Sequence, residues 1–109
     1  MDTQLLNVLF VGSLDLSWRD LAACNDFDPN LFFPAGDTGV AASQIVEAKR
    51  ICGECPVKTD CLAYAVEANQ VNGVWGGTTE QERRLVRRRW MSARRRNDSA
   101  AMMHVLEAV

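Results

Sequence analysis

The spacing of apolar positions predicts short helices and no strand. From Val40 onward, Ala41, Ile45, Ala48, Cys52 and Cys55 recur at steps of four, three, four and three. That is the stripe of an amphipathic helix, with two cysteines at or just past its end. Pro56 cannot continue this helix but is a favoured first residue of another. The pattern carries that second helix over about residues 56–69, with Val57, Cys61, Tyr64, Ala65 and Ala68 on one face. Upstream, Ser17 followed three residues later by Asp20 predicts a capped short helix over residues 18 to about 23, which delivers Cys24.

Between Cys24 and Val40 the chain is rich in turn formers and carries Phe27, Phe32 and Phe33, rings that need an apolar partner. Phe32 and Phe33 are read as cover for whatever the cysteines hold. Asn72-Gly73 ends the second helix, and the glycines of Gly73-Val74-Trp75-Gly76-Gly77 permit the positive φ of a tight turn. Thr79 with Glu82 makes a capping box that opens a helix through an arginine-rich stretch, with Leu85, Val86 and Trp90 packing inward. Asp98 or Ser99 caps a last short helix with Met102, Leu106 and Val109 on one side. The expected fold class is all-α, a small domain of four to five short helices.

Length and composition narrow this picture without changing it. The 109 residues make one small domain, and 48% hydrophobic with 24% charged residues is a globular composition. No apolar run approaches the roughly 18 residues that cross a bilayer, and Met1-Asp2-Thr3-Gln4 is acidic where a signal peptide is basic. A cytoplasmic protein is therefore expected, with no membrane contact and no small-molecule substrate. The boundaries expected are a weakly ordered leader over residues 1–16, a cysteine-bearing domain over 17–82 and a basic C-terminal helix and tail over 83–109.

Charge adds a candidate surface. Residues 1–82 carry twelve acids against four Lys and Arg, whereas residues 83–96 carry eight Arg and no acid. An acidic body joined to so basic a segment points to an anionic partner. Phosphate contact is the natural use of Arg83, Arg84, Arg87, Arg88, Arg89, Arg94, Arg95 and Arg96. At helical spacing Arg84, Arg87, Arg88 and Arg95 share a side. No base-reading motif accompanies them, so DNA contact with weak sequence preference is expected. Trp75, flanked by glycines that strip away neighbouring side chains, reads as an aromatic anchor for a partner.

The four cysteines carry the chemistry. Cys24, Cys52, Cys55 and Cys61 are spaced Cys-x27-Cys-x2-Cys-x5-Cys, and three of them fall within ten residues. In a reducing compartment such a set favours metal binding over disulfides. Thiolates are soft ligands for zinc or an iron–sulfur cluster, and the only histidine, His104, lies far off in the tail. Four-cysteine zinc sites usually pair two Cys-x2-Cys knuckles, and here only Cys52 and Cys55 form one. A cuboidal cluster is wider than one ion and gathers thiolates from several elements. Its net charge of about −2 on four thiolates is met by Lys49, Arg50, Lys58 and the helix start at Pro56. A domain this small needs such a staple. Two rivals stand beside the [4Fe–4S] reading: a structural zinc module binding nucleic acid, and a thiol–disulfide oxidoreductase using Cys52 and Cys55 with a lowered thiol pKa. No βαβ context supports the latter, and the chain is not expected to be an enzyme.

Taken together, Cys24, Cys52-x2-Cys55-Pro56-Val57-x3-Cys61, Gly73-Val74-Trp75-Gly76-Gly77 and the basic end resemble the WhiB-like transcriptional regulators over roughly residues 18–97. The resemblance implies a small helical protein with a [4Fe–4S] cluster on Cys24, Cys52, Cys55 and Cys61 that responds to oxygen and nitric oxide. It implies an apo form able to make intramolecular disulfides. It also implies contact with the C-terminal domain of the primary sigma factor through the surface around the cluster, with Gly73, Val74, Trp75, Gly76 and Gly77 as the family's turn and Trp75 near that contact. The tail departs from the family pattern: it has no Arg-Gly-Arg-Pro AT-hook, and an apolar end follows the arginines.

Overall fold

The computed structural model describes residues 16–109; the leader expected over residues 1–16 lies, but for Leu16, outside the described residues. Three 3-10 helices, Ser17–Leu21, Ala23–Asp26 and Pro29–Phe32, lead into four α-helices. These are α1 (Val40–Gly53), α2 (Lys58–Glu67), α3 (Glu80–Arg95) and α4 (Ser99–Glu107). The described residues contain no strand beyond an isolated bridge between Trp75 and Thr78, so the all-α expectation holds.

The first short helix is not capped as expected. Leu16 precedes it without a side-chain cap, and the backbone opens to an extended conformation at Ala22. Cys24 therefore sits on a second 3-10 turn instead of the end of an α-helix. Asp28 restarts the chain by accepting the Asn30 N–H at 3.0 Å, one residue before Pro29. The helix after Pro56 begins later than expected, at Lys58. It closes at Asn69, whose φ of 53° is the left-handed conformation that ends a helix. The Gln70 N–H then returns to the Ala65 carbonyl at 2.8 Å. Two expected caps do form. Thr79 and Glu82 bond reciprocally at 3.3 and 2.9 Å, and Asp98 accepts the Ala101 N–H at 3.0 Å.

Two apolar clusters flank α2. On one side Leu62, Ala63 and Val66 pack with Trp90 and Ala93 of α3 and with Met102 and Leu106 of α4. On the other, Phe32, Ala48, Ile51, Cys52 and Val74 form a smaller cluster under α1. The buried face of α2 is broader than expected: Val57 and Ala65 are buried as expected, Leu62, Ala63 and Val66 are buried as well, and Ala68 is exposed beyond the helix end. The reason is that the α3–α4 hairpin covers Leu62, Ala63 and Val66. The boundary expected at residues 82 and 83 falls inside α3, and the larger cluster joins residues on both sides of it.

Side chains of α3 also close the C-terminus of α2. Arg87 donates to the Val66 carbonyl, Trp90 Nε1 to Glu67 Oε2 at 2.9 Å, and Arg94 pairs with the other oxygen of Glu67. A helix end leaves its last carbonyls unmet unless such partners reach them.

The terminal helix is thus part of the core, not an appendage. Leu106→Ala should cost about 3 kcal/mol in urea unfolding, as a buried leucine truncation does. Val109 lies past the helix and is 39% exposed; Val109→Ala should stay within about 0.5 kcal/mol.

Candidate functional site

All four cysteines line one cavity of about 380 Å³. Cys24 reaches it from the second 3-10 turn, Cys52 from the last turn of α1, and Cys61 from the first turn of α2. Cys55 lies between the two helices. Consecutive backbone bonds, Cys55 N–H to the Cys52 carbonyl at 3.1 Å and Lys58 N–H to the Cys55 carbonyl at 3.3 Å, turn the chain there. Trp18, Phe32, Phe33 and Trp75 share the lining. Phe32 is buried, as cover should be, while Phe33 is half exposed at the rim.

The glycine turn approaches the cavity backbone-first. Gly76 and Gly77 have φ of 54° and 78°, and Trp75 and Thr78 exchange N–H···O bonds of 3.1 and 2.9 Å across them. This is the two-residue hairpin turn that needs φ above zero at both centres. A Cβ on Gly76 would stand 2.6 Å from the Leu62 Cβ, so only glycine lets the turn lie against α2 beside Cys61. The consequence is chemical. The Gly76 and Gly77 N–H groups lie near the Cys61 and Cys52 sulfurs and oppose the rise of those thiols, while the Ala23 N–H lies 3.5 Å from the Cys55 sulfur. Successive backbone N–H groups in such a turn form a concavity that favours anions. Sequence reasoning placed this turn at a partner surface and missed its role as donor to sulfur. Two adjacent glycines beside a cysteine set were the available signal.

Burial dominates the thiols. It pushes Cys61 up to about 12, against the opposing Gly76 N–H, and it raises Cys52 and Cys24 as well. A buried thiol stays neutral unless a cation compensates the thiolate, and a coordinated metal deprotonates its thiols outright. The lowered thiol pKa expected of an oxidoreductase at Cys52 is therefore not found. Cys52 ends α1 instead of standing at a helix N-terminus, and its pKa is raised. The cations are also sorted. Lys58 and Arg19 line the cavity, but Lys49 pairs with Glu82 at 2.9 Å, and Arg50 pairs with Glu47 at 2.6 Å and Glu54 at 3.6 Å.

Two observations bear on what the cavity takes. Among the described residues no three His, Cys, Asp or Glu side chains converge tightly enough to grip a single ion, yet four thiols surround one cavity. In addition, Trp18 lines the cavity with its Nε1 buried and lacking an acceptor. Four soft sulfur donors and an unmet N–H donor in one lining are compatible with a metal centre carried on these cysteines.

Trp75 is partly buried. Its ring stacks on Tyr64 with centroids 5.8 Å apart and its Nε1 donates to the Asn72 carbonyl at 2.8 Å. Gly73, Val74 and Gly76 of the same turn are buried, so among these five residues Trp75 presents the largest side chain outward.

The eight arginines fall into different classes. Arg83 is 3% exposed and donates to the carbonyls of Gln70, Thr78 and Gly73 at 2.8, 2.9 and 2.9 Å. It locks the turn to α3 and is removed from the phosphate-facing set. Arg87 and Arg94 are committed to the end of α2. Arg84, Arg88 and Arg95 are exposed along a groove of about 610 Å³ with Met91 and Val71 in its lining, the side that helical spacing predicts. Arg89 and Arg96 are exposed as well, with Arg96 donating to Ser92 at 2.9 Å. Leu85, expected inward, is 44% exposed, whereas Trp90 is fully buried.

A small all-helical chain with four cysteines around one cavity and a basic helix beside it is the class these features define. The chain belongs to the WhiB transcription factor family, whose model, described as transcription factor WhiB, matches residues 18–86. It is 52% identical over 69 residues to the transcriptional regulator WhiB1 of Mycobacterium tuberculosis, covering 63% of this chain and 82% of that one. It is 57% identical over 67 residues to WhiB1 of Bifidobacterium longum, covering 62% and 73%. To WhiD of Streptomyces coelicolor it is 47% identical over 68 residues, covering 61% of each. The family match ends at residue 86, so the distal part of α3 and all of α4 lie beyond it.

The close approach of the turn can be tested directly. Gly76→Ala should destabilise the protein by about 3 kcal/mol through strain and overlap. Gly53→Ala, with open space around its Cβ, should be neutral or stabilising in the same thermal unfolding measurement.

Proposed function

We propose that this protein is a redox- or nitric-oxide-responsive transcriptional regulator that holds a [4Fe–4S] cluster on Cys24, Cys52, Cys55 and Cys61 and contacts the primary sigma factor's C-terminal domain and DNA. The single observation that carries the reading is the convergence of all four thiols on one cavity into which backbone N–H groups also point. When bound, the cluster supplies redox and gas-reactive chemistry and the positive charge that keeps the thiols ionised. The chain itself contributes ligation, hydrogen bonds from Gly76, Gly77 and Ala23, and an aromatic wall. The activity is regulatory, not enzymatic, and its compartment is the cytoplasm.

The turn links cavity and surface. Its N–H groups lie beside two sulfurs while Trp75, at the cavity's lining, keeps part of its ring exposed, so loss of the sulfur acceptors' charge loosens the residues that present Trp75 to sigma factor. Freed thiols can then pair as intramolecular disulfides, each pair giving up two electrons and two protons to oxygen as the oxidant. The structural zinc alternative shares the ligands but predicts a colourless protein.

Anaerobically purified protein should be brown, contain iron and sulfide in equal amounts, and retain the sigma-factor domain in a pull-down. Iron chelation should abolish retention and lower helicity by circular dichroism, since a structural metal centre contributes on the order of 10 kcal/mol. Zinc without sulfide, or unchanged helicity after chelation, would contradict the reading.

DNA contact falls to the exposed arginines. If Arg84, Arg88 and Arg95 each neutralise one phosphate, log K should fall with log salt at a slope of about −2.7. The triple substitution to Gln should flatten that slope, and a flat response in the unaltered protein would remove DNA from the account.

A further inference from the structure

We propose that the Trp18 indole N–H is a hydrogen-bond donor to sulfur of the bound cluster and that it raises the cluster's reduction potential. The inference rests on the [4Fe–4S] reading of the cysteine cavity. It concerns a residue outside the ligand set and outside the glycine turn.

The three tryptophans differ in one respect. Trp75 Nε1 is satisfied by the Asn72 carbonyl and Trp90 Nε1 by Glu67. Trp18 Nε1 is buried without an acceptor among the described residues, on a residue only 3% exposed. Leaving a donor so placed unmet is costly, and buried donors are nearly always paired. The ring is fixed from outside. Tyr64 lies against it with centroids 5.8 Å apart, and the Arg19 guanidinium stands 5.0 Å from the Tyr64 ring and 5.8 Å from that of Trp18. Rotation into solvent is thereby blocked, and the indole lines the same cavity as the four cysteines.

Within that cavity the chemistry of the acceptor is limited. A neutral thiol is a weak acceptor, whereas thiolate or inorganic sulfide is charged and bonds strongly. The backbone already sends Ala23, Gly76 and Gly77 N–H groups towards Cys55, Cys61 and Cys52. Trp18 adds to this set a buried neutral donor that has no other partner among the described residues. Hydrogen bonds to sulfur disperse negative charge and favour the reduced, more negative state of a cluster. Trp18 is accordingly a positioning and tuning residue that acts on the cofactor without ligating it.

The test uses the anaerobic, cluster-loaded full chain. Trp18→Phe keeps a ring beside Tyr64 and Arg19 but removes the N–H. Its midpoint potential should fall; a tenfold change in the one-electron equilibrium corresponds to about 59 mV. Should that variant fail to retain iron, the unaltered chain still decides the matter. With indole-15N tryptophan, the reduced cluster should show a nitrogen coupling in pulsed electron–nuclear double resonance. An iron-loaded variant with unchanged potential, or absence of the nitrogen coupling in the unaltered loaded chain, would overturn the role of Trp18 and leave the cluster reading standing. A chain that takes up no iron and sulfide would overturn the cluster reading itself.

Discussion

Everything in this fold depends on how four sulfur atoms are tolerated inside a domain of 109 residues. Burial alone drives the thiols towards their neutral form, most strongly at Cys61. The neighbourhood opposes this with backbone N–H groups and the cations Arg19 and Lys58. Those groups are too few to sustain four bare thiolates, so ionised sulfur in this cavity would require a further cation such as the proposed cluster's metal. The local conformations that look arbitrary in isolation follow from this demand. The chain breaks into 3-10 turns around Cys24, α1 stops within a residue of Cys52, and a glycine pair lies flat on α2.

The glycine turn is held from two sides. Its inner N–H groups face Cys61 and Cys52, and its outer carbonyls are gripped by Arg83 through Thr78 and Gly73. Arg83 belongs to α3, which carries the exposed arginines and closes α2 through Arg87, Trp90 and Arg94. A contiguous set of hydrogen bonds and packed residues therefore joins the cysteine cavity to the basic groove. That continuity fixes the spacing between the cysteine cavity and the arginine face. It depends on Arg83 being spent internally. A guanidinium with its donors turned to three carbonyls serves as a joint, not as a phosphate ligand.

Much of this was legible from residue order, and the failures are specific. Period-3.6 spacing located α1, Thr79 with Glu82 located the start of α3, and Asp98 located α4, because a cap or a stripe is a local property. The cysteine spacing pointed to a shared site for the same reason that it excluded paired zinc knuckles. The buried face of α2 was read in part: Val57 and Ala65 are buried as the stripe predicts, but Leu62 and Val66 were missed. Periodicity within α2 cannot show that a later segment, the α3–α4 hairpin, covers a further side of it. Ser17 and Asp20 looked like a cap, yet the need to place Cys24 in the cavity overrides that signal and leaves a 3-10 turn. Nothing local marks Trp18 as a cavity wall, since its burial depends on Tyr64, more than forty positions later.

The arginine run shows most clearly why density is not function. Eight guanidiniums in fourteen residues read as one basic surface, but a helix distributes consecutive residues around its axis. Some of that circumference is always turned inward. Here the inward positions hold Arg83, Arg87 and Arg94 because each has unmet oxygen to satisfy: the carbonyls of the glycine turn, the last carbonyls of α2, and the Glu67 carboxylate. Arginine suits these places because its planar fork reaches several acceptors from one side chain. What remains outside, Arg84, Arg88 and Arg95 with Met91 between them, is a narrower stripe than composition implies. Its outward aim is set by the same internal bonds that hold α3 against α2 and the turn.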